Sequence, residues 1–314
     1  MYRRGVRPNV IVMPVLRWPE LDADVRRFFK ALGPATVGSM GVQLALFADT
    51  IIASFLPAGA LSALYYADRI DQLPIGVIGI AAGTVILPEM ARRIAANDER
   101  GAAQAQNRAI EFTLLLSIPC LAAFVVLPDL IMRALFMRGA FTAADATAAG
   151  HTLVAYAVGL LPFVLIRSTV ATFFARGDTA TPVKAALIAA AVNIAFKFML
   201  MGPLQQAGLA LATSIGAWIN LGLVVWFAAR AGHLNVDERL RQSMLKLVIA
   251  GLALAAALWL SETPVAHIFA GWARLRDVAS LVVLAAIGGA VYGGIVLILI
   301  GPHWLAAFRA GRQA

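Results

Sequence analysis

Residues 65–90 read YYADRIDQLPIGVIGIAAGTVILPEM and join a charged, aromatic segment to a long apolar run. The charged segment, Tyr65 to Pro74, lies between two apolar runs at residues 33–56 and 73–90. An apolar run of about 20 residues is long enough to cross the hydrocarbon core of a membrane as a helix. We therefore expect the charged segment at the mouth of a pair of membrane helices, with the second helix opening after it.

Composition places the whole chain in the membrane class. Of the 314 residues, 61% are hydrophobic and 14% are charged, and the mean hydropathy is +0.81. A backbone in lipid must satisfy its own hydrogen bonds, and the apolar runs are too long and continuous for barrel strands. The expected fold class is an all-α polytopic membrane protein with about eight transmembrane helices. The windows are 33–56, 73–95, 109–136, 147–174, 180–201, 206–229, 243–260 and 277–301.

The basic residues fall unevenly on the predicted loops. With a cytoplasmic N-terminus, nineteen Lys and Arg residues lie on the cytoplasmic side and five on the other. Because cytoplasmic loops carry an excess of Lys and Arg, both termini are predicted to be cytoplasmic. Anionic lipid of the inner leaflet then explains the net charge of +9, and nucleic acid is not needed as a partner. The five outer basic residues are Arg69, Arg133, Arg138, Arg274 and Arg276.

The sequence lacks the motifs of the common membrane enzymes and ATP-driven pumps. It contains no GxxxxGK[ST] loop, no HExxH, no GxSxG and no cluster of His or Cys. The first three of these motifs supply phosphate binding, zinc ligands and an activated serine, respectively. We therefore predict neither an enzyme nor a bound cofactor.

Polar and ionisable groups inside the apolar windows are candidates for function. Asp49 lies near the middle of the first window, and Lys197 follows Asn193 by one helical turn in the fifth. Thr213 lies in the sixth window. A charge at such depth costs on the order of 3 kcal/mol or more unless it is paired or faces water. Channels, carriers and lipid translocases all contain such groups.

Three local patterns concern the packing of helices. Thr142 and Asp145 have the spacing of a capping box, which favours a helix start over a ligand site. Arg167, in the fourth window, either pairs within the bundle or extends to the lipid headgroups. Small residues in the second window allow close approach of a neighbouring helix or a bend; they are Gly76, Gly79 and Gly83.

Four segments of the chain resemble a known family, the MurJ/MviN lipid II flippases of the multidrug/oligosaccharidyl-lipid/polysaccharide exporter superfamily. The segments are FADTIIASFLPAGALSALYYADRIDQLPIGVIGIAAGTVILPEMAR (47–92), FMRGAFTAAD (136–145), ARGDTATPVK (175–184) and GPLQQAGLALATS (202–214). Members of this family have fourteen helices in two lobes. The chain resembles the second lobe, helices 7–14, and the six preceding helices are not in it.

The resemblance and the charge pattern together predict five regions. Residues 1–32 form an amphipathic segment at the cytoplasmic interface, and residues 33–230 form the six-helix bundle of the second lobe. Residues 231–242 form a cytoplasmic loop. Residues 243–301 form two helices that in the family hold a groove for the lipid tail, and residues 302–314 form a cytoplasmic tail.

The resemblance implies transport of undecaprenyl-pyrophosphate-linked disaccharide-pentapeptide from the inner to the outer leaflet of the bacterial plasma membrane. In this family two lobes alternate around a cationic cavity without ATP hydrolysis. The resemblance therefore implies two partners, a first-lobe half that is missing or separately encoded, and membrane lipids. Arg69 falls on the cavity arginine of the second lobe and would bind phosphate, with Asp68 orienting it. The alternative is an interfacial Arg69 that pairs with Asp68 or Asp71.

Some members of the family hold a cation between the seventh, eleventh and twelfth helices. Asp49, Asn193 and Thr213 fall on positions of that site, but Lys197 stands where a second carboxylate is expected. The ammonium of Lys197 can replace the cation and pair with Asp49. We therefore predict an ion pair here and no sodium or other metal site.

Two alternative functions remain open from the sequence. The chain could belong to an exporter of another lipid-linked glycan or of drugs within the same superfamily. It could also be an inactive lobe that serves only as a partner. Rescue of flippase loss by the chain joined to a first lobe would separate these functions.

Overall fold

The computed structural model describes residues 50–272 and 275–301, and every regular element in these ranges is an α-helix. Residues 50–54 are helical, whereas the rest of the predicted window 33–56 lies outside the described residues, as do the predicted regions 1–32 and 302–314. The longer helices are α1 (Ala60–Ala95), α2 (Glu99–Val126), α3 (Pro128–Phe136), α4 (Ala143–Phe174), α5 (Ala180–Arg230), α6 (Glu238–Ile268) and α7 (Arg276–Ile300).

The 51-residue element α5 consists of two helices joined at a break. Gln205 has φ 49° and ψ −129°, outside the helical region, and Pro203 precedes it. Proline lacks the N–H that a continuing helix needs, so the hydrogen-bond ladder is interrupted here. Six of the described helices are long and apolar enough to cross a membrane, and α5 is long enough for two crossings. The predicted all-α polytopic membrane fold is confirmed.

The charged segment 65–74 lies inside a helix, which corrects the expectation that the second span opens after it. α1 begins at Ala60, directly after Gly59, whose φ is 91°. It continues through Pro74 and ends at Ala95. Ala, Leu, Arg and Gln, each of which occurs once in this segment, are good helix formers. Charge does not end a helix when the side chains extend away from its axis.

The other helix starts follow local capping chemistry. Asp98 caps α2, since its Oδ1 accepts an N–H of the first turn at 2.8 Å. Thr142 caps α4, and with Asp145 it forms the predicted capping box. Pro128 opens α3, at a position that tolerates proline. It thereby divides the predicted window 109–136 into two helices.

α4 is the central helix of the described bundle and packs against α1, α2, α3 and α5. A Cβ built on Gly159 of α4 would lie 2.8 Å from the Cα of Ser214 in α5. The Ser214 hydroxyl donates a hydrogen bond to the Ala155 carbonyl across this contact, at 2.6 Å. Small residues thus bring the two backbones together, as in other membrane helix pairs.

Substitution of Gly159 by alanine is expected to destabilise the bundle by about 1–3 kcal/mol, because the added methyl group displaces the α5 backbone. Gly222→Ala, also in a membrane helix but with open space at the position, is the matched control and should unfold like the parent chain. Thermal unfolding of the detergent-purified protein, followed by tryptophan fluorescence, measures the difference. Equal melting temperatures for the two variants would contradict the close contact.

A buried ion-pair network joins α6 to α2. Glu111 is 3% exposed and accepts hydrogen bonds from the Ser243 hydroxyl at 2.7 Å and from Arg108 at 2.5 Å. Arg108 also donates to Asp237, which caps α6 and so ends the predicted loop 231–242 early. Burial works against ionisation of Asp237, but the helix N–H and Arg108 outweigh it and keep the pKa of this carboxyl below its usual range.

Replacement of Glu111 by alanine is expected to lower the free energy of unfolding by about 3 kcal/mol, because the variant removes one partner of a buried ion pair. Glu238→Ala is the matched control, since Glu238 pairs with Arg241 at the surface, where ion pairs contribute little. Thermal unfolding in detergent reports both variants. A Glu111→Ala protein as stable as the control would show that the network does not hold α6 to α2.

Candidate functional site

Arg69 lies on an exposed face of α1. Its guanidinium carbon is 4.8 Å from the centroid of the Tyr65 ring, and both side chains are exposed. Residues four apart share one face of a helix, and a cation is attracted to the negative face of an aromatic ring. Stacking uses the flat face of the guanidinium and leaves N–H groups at its edge for anionic acceptors.

The two carboxylates of the same segment lie in different environments. Asp68 is half-buried, and its Oδ2 accepts a hydrogen bond from Gln72 at 2.5 Å. Asp71 is 3% exposed, and no donor in the described ranges reaches its Oδ1. The burial of Asp71 was not predicted from the sequence. Asp71 lies four residues after Ala67, which is fully buried, and so on the packed face of α1, which no signal in the sequence marks.

Aromatic packing fixes the charged segment to the neighbouring helices. The Tyr66 ring lies 4.7 Å from the Phe136 ring at the end of α3, measured between centroids. It lies 5.0 Å from the Phe141 ring, edge to face, in the turn before α4. Aromatic pairs at these distances add to the stability that burial supplies. Tyr65 and Arg69 are therefore displayed from an anchored helix.

A second guanidinium approaches α1 from α4. A Cβ built on Gly79 would lie 2.6 Å from Cδ and 2.7 Å from Nε of Arg167. Arg167 thus lies against α1 at a residue that has no side chain. The close approach predicted for the glycines of this helix is confirmed at Gly79, whereas Gly76 and Gly83 have open space around them. The Arg167 side chain remains exposed, so this contact leaves open whether Arg167 pairs within the bundle or extends to the lipid headgroups.

The polar groups predicted for the ion site lie on the two halves of α5, and Asp49 lies outside the described residues. Lys197 is 4% exposed, although it belongs to an apolar helix. Asn193 and Thr213 are half-buried, and the Thr213 hydroxyl donates to the Leu209 carbonyl at 3.1 Å. A buried ammonium in a membrane span marks a functional position by default.

Lys197 and Thr213 lie at nearly the same level of the hairpin that α5 forms. Each is flanked along its own half by residues that contact the other half, so the register between the halves is fixed. The flanking contacts, measured from a Cβ built on the glycine, join Gly208 to the Leu200 carbonyl oxygen at 2.2 Å and Gly216 to the Asn193 Cβ at 2.9 Å.

Sequence comparison identifies the family to which these helices belong. The family model described as lipid II flippase MurJ matches residues 3–273. The chain belongs to the MurJ family. A probable lipid II flippase MurJ of Rhizobium meliloti (strain 1021) is 41% identical over 245 residues, which are 78% of this chain and 46% of that protein. The MurJ relative of Rhizobium tropici is 38% identical over 297 residues, or 94% of this chain and 54% of its own length.

Solved structures share the fold of this chain. A lipid II flippase MurJ in an inward closed conformation gives a TM-score of 0.72 at 24% identity, over 87% of this chain and 54% of that chain. An outward-facing multidrug resistance MATE family transporter gives a TM-score of 0.55 at 18% identity, over 82% of this chain and 61% of that chain. At these identities the likeness shows the fold alone. The chain spans about half the length of the MurJ proteins it matches.

Proposed function

We propose that this chain forms the second lobe of a lipid II flippase. The substrate is undecaprenyl-pyrophosphate-linked disaccharide-pentapeptide, which moves from the inner to the outer leaflet of the bacterial plasma membrane by alternating access. The observation that carries the proposal is the exposed guanidinium of Arg69 on a membrane-spanning helix of a MurJ-family chain. An arginine offers phosphate two parallel hydrogen bonds and keeps its charge at any physiological pH.

The exposed face of α1 suits one wall of a transport cavity. Leu73, Val77 and Ile80 continue from Arg69 at helical spacing and are 63%, 72% and 56% exposed. We propose that this face lies opposite the first lobe, with Arg69 binding the pyrophosphate of the substrate. Asp68 is proposed to orient Arg69 through the charge of its carboxylate and not by a direct hydrogen bond, since adjacent residues of a helix do not face each other and Asp68 accepts from Gln72.

The arginine-rich end of the bundle is proposed to be cytoplasmic. Arg176, after α4, donates to Glu99 at the start of α2, and Arg108 of α2 donates to Asp237 before α6. These contacts bring together the connections between α1 and α2, between α4 and α5, and between α5 and α6 at one end of the bundle. The excess of Lys and Arg on cytoplasmic loops supports the proposal that both chain termini are cytoplasmic.

The proposed coupling site uses charge within the protein instead of a metal ion. Lys197 is proposed to pair with Asp49, which satisfies both charges without sodium. Movement of such groups in the membrane potential, worth about 2.3 kcal/mol per charge per 100 mV, can drive a transport cycle. No ATP and no organic cofactor enter this scheme.

Complementation in a flippase-depleted bacterium tests the proposal. The chain is joined to the first lobe of the Rhizobium meliloti relative, and growth and outer-leaflet lipid II are measured. We expect rescue by the fusion and none by the chain alone, because one wall of a cavity does not alternate. A membrane-inserted fusion that does not rescue would favour another lipid-linked glycan or a drug as the substrate. Rescue by the first lobe without this chain would favour an inactive partner.

A further inference from the structure

A cavity of about 910 Å³ opens between α3, α6 and α7, at the end of the bundle opposite the arginine-rich end. Its charged and polar lining consists of three arginines, two carboxylates and one serine. The side chains are Arg133, Arg138, Arg276, Glu262, Asp277 and Ser280. No part of this lining belongs to α1 or α5, so the cavity is separate from the sites described above.

The charges in the cavity are not balanced within it. Arg133 lies 3.5 Å from the Asp277 carboxylate, measured between Nε and Oδ2, and this ion pair joins α3 to α7. Arg138 and Arg276 are exposed, and over residues 50–272 and 275–301 neither forms an ion pair. Glu262 supplies the one other negative charge. The lining therefore carries a net positive charge and two guanidinium groups with free hydrogen-bond donors.

One residue of the cavity lining has a buried hydroxyl with no partner among residues 50–272 and 275–301. Ser280 is 1% exposed, and no group in the part of the chain that the structure describes hydrogen-bonds to its Oγ. Buried polar groups are nearly always satisfied, so an unpaired one calls for a ligand or an ion. Ser280 lies one turn after the start of α7 at Arg276, where no side chain caps the helix. The N-terminus of a helix favours anions.

The position of these arginines argues against a merely solvated surface. Outer segments of membrane proteins are depleted of Lys and Arg, and only five of the 26 basic residues of this chain were assigned to that side. Three of the five line this one cavity. The ion pair with Asp277 accounts for Arg133, whereas Glu262 is the one carboxylate of the lining left to balance Arg138 and Arg276.

We propose that this cavity binds the phosphate group of an anionic membrane lipid. Apolar side chains beside it are exposed where the lipid chains would lie, namely Ile268, Trp272 and Leu275, which are 71%, 54% and 56% exposed. Tryptophan is enriched at the level of the headgroups. Arg138 and Arg276 bind the phosphate oxygens. A rotation of the Ser280 side chain that brings its buried hydroxyl into the cavity lets it donate to one of them. A free phosphate ion would not use the apolar rim.

Native mass spectrometry of the full chain in detergent tests this proposal, with phosphatidylglycerol as the probe. Arg138→Gln combined with Arg276→Gln is expected to weaken the tightest phosphatidylglycerol binding roughly tenfold or more, since two charge-assisted hydrogen bonds are lost. Ser280→Ala, a small change in volume, is expected to weaken it severalfold. Arg241→Gln is the matched control, because its guanidinium is exposed at the arginine-rich end.

The outcomes distinguish a lipid phosphate from a free phosphate ion, and loss of binding from loss of folding. Circular dichroism and gel filtration establish that each variant is folded. Equal affinity of the folded double variant and the control would overturn the proposal, as would binding of phosphatidylcholine as tight as that of phosphatidylglycerol. Displacement of the lipid by millimolar inorganic phosphate would assign the cavity to a soluble anion instead. The binding assay needs no transport, so it can succeed or fail independently of the proposed flippase activity.

Discussion

Replacement of Arg69 by alanine is expected to abolish rescue of a flippase-depleted bacterium by the first-lobe fusion. Two charge-assisted hydrogen bonds to phosphate are lost, each worth about 1.5–3 kcal/mol. Because 1.36 kcal/mol corresponds to a tenfold change, substrate binding should fall at least a hundredfold. Arg69→Lys keeps the charge but not the planar fork, so partial rescue is expected. Growth and the amount of lipid II in the outer leaflet are measured for the parent fusion and for both variants.

Arg230 provides a matched control for this prediction. Its guanidinium carbon lies 5.0 Å from the centroid of the Trp226 ring, four residues earlier, which is the same arrangement as Arg69 on Tyr65. Arg230→Ala removes a stacked arginine at the end of a helix but leaves the proposed cavity wall intact. It should rescue growth like the parent fusion. Growth of Arg69→Ala cells at the rate of Arg230→Ala cells would remove Arg69 from the substrate site.

The fold was accessible from the sequence because lipid restricts the structures a chain can adopt. Long apolar runs in lipid must be helices, and the break of α5 falls between the predicted windows 180–201 and 206–229, at Gln205. The start of α1 could not be predicted by the same argument. Hydropathy records where lipid ends, whereas a helix ends where capping or backbone geometry ends it, here at Gly59. For helices that extend beyond the lipid, hydropathy alone therefore predicts too short a length.

Some features of the candidate site can likewise be predicted from local sequence, whereas others depend on tertiary packing. The family motif around Arg69 and the spacing of Asn193 and Lys197 are local, and the sequence displays them. The burial of Asp71 depends on which face of α1 packs against α4, and the contact of Arg167 with Gly79 joins residues far apart in the chain. Such contacts depend on the packing of whole helices, which a single sequence does not specify.

Substitution of Lys197 by aspartate is expected to create a sodium site. Lys197 is 4% exposed within α5, and at that depth a lone ammonium is costly, so the predicted pair with Asp49 satisfies both groups. In the Lys197→Asp variant two carboxylates would share the site, and they repel unless a cation binds between them. Sodium at a hundredfold excess over its dissociation constant would then add about 2.7 kcal/mol to the stability of the variant.

Thermal unfolding in sodium and in choline chloride of equal ionic strength distinguishes this site from general salt effects. The parent chain and the control Lys184→Asp, at an exposed position near the start of α5, should unfold at the same temperature in both salts. Only the Lys197→Asp variant should be stabilised by sodium. Sodium stabilisation of the parent chain would contradict the charge pair, because a site already neutralised by an ammonium has no room for a second cation and no net charge to attract one.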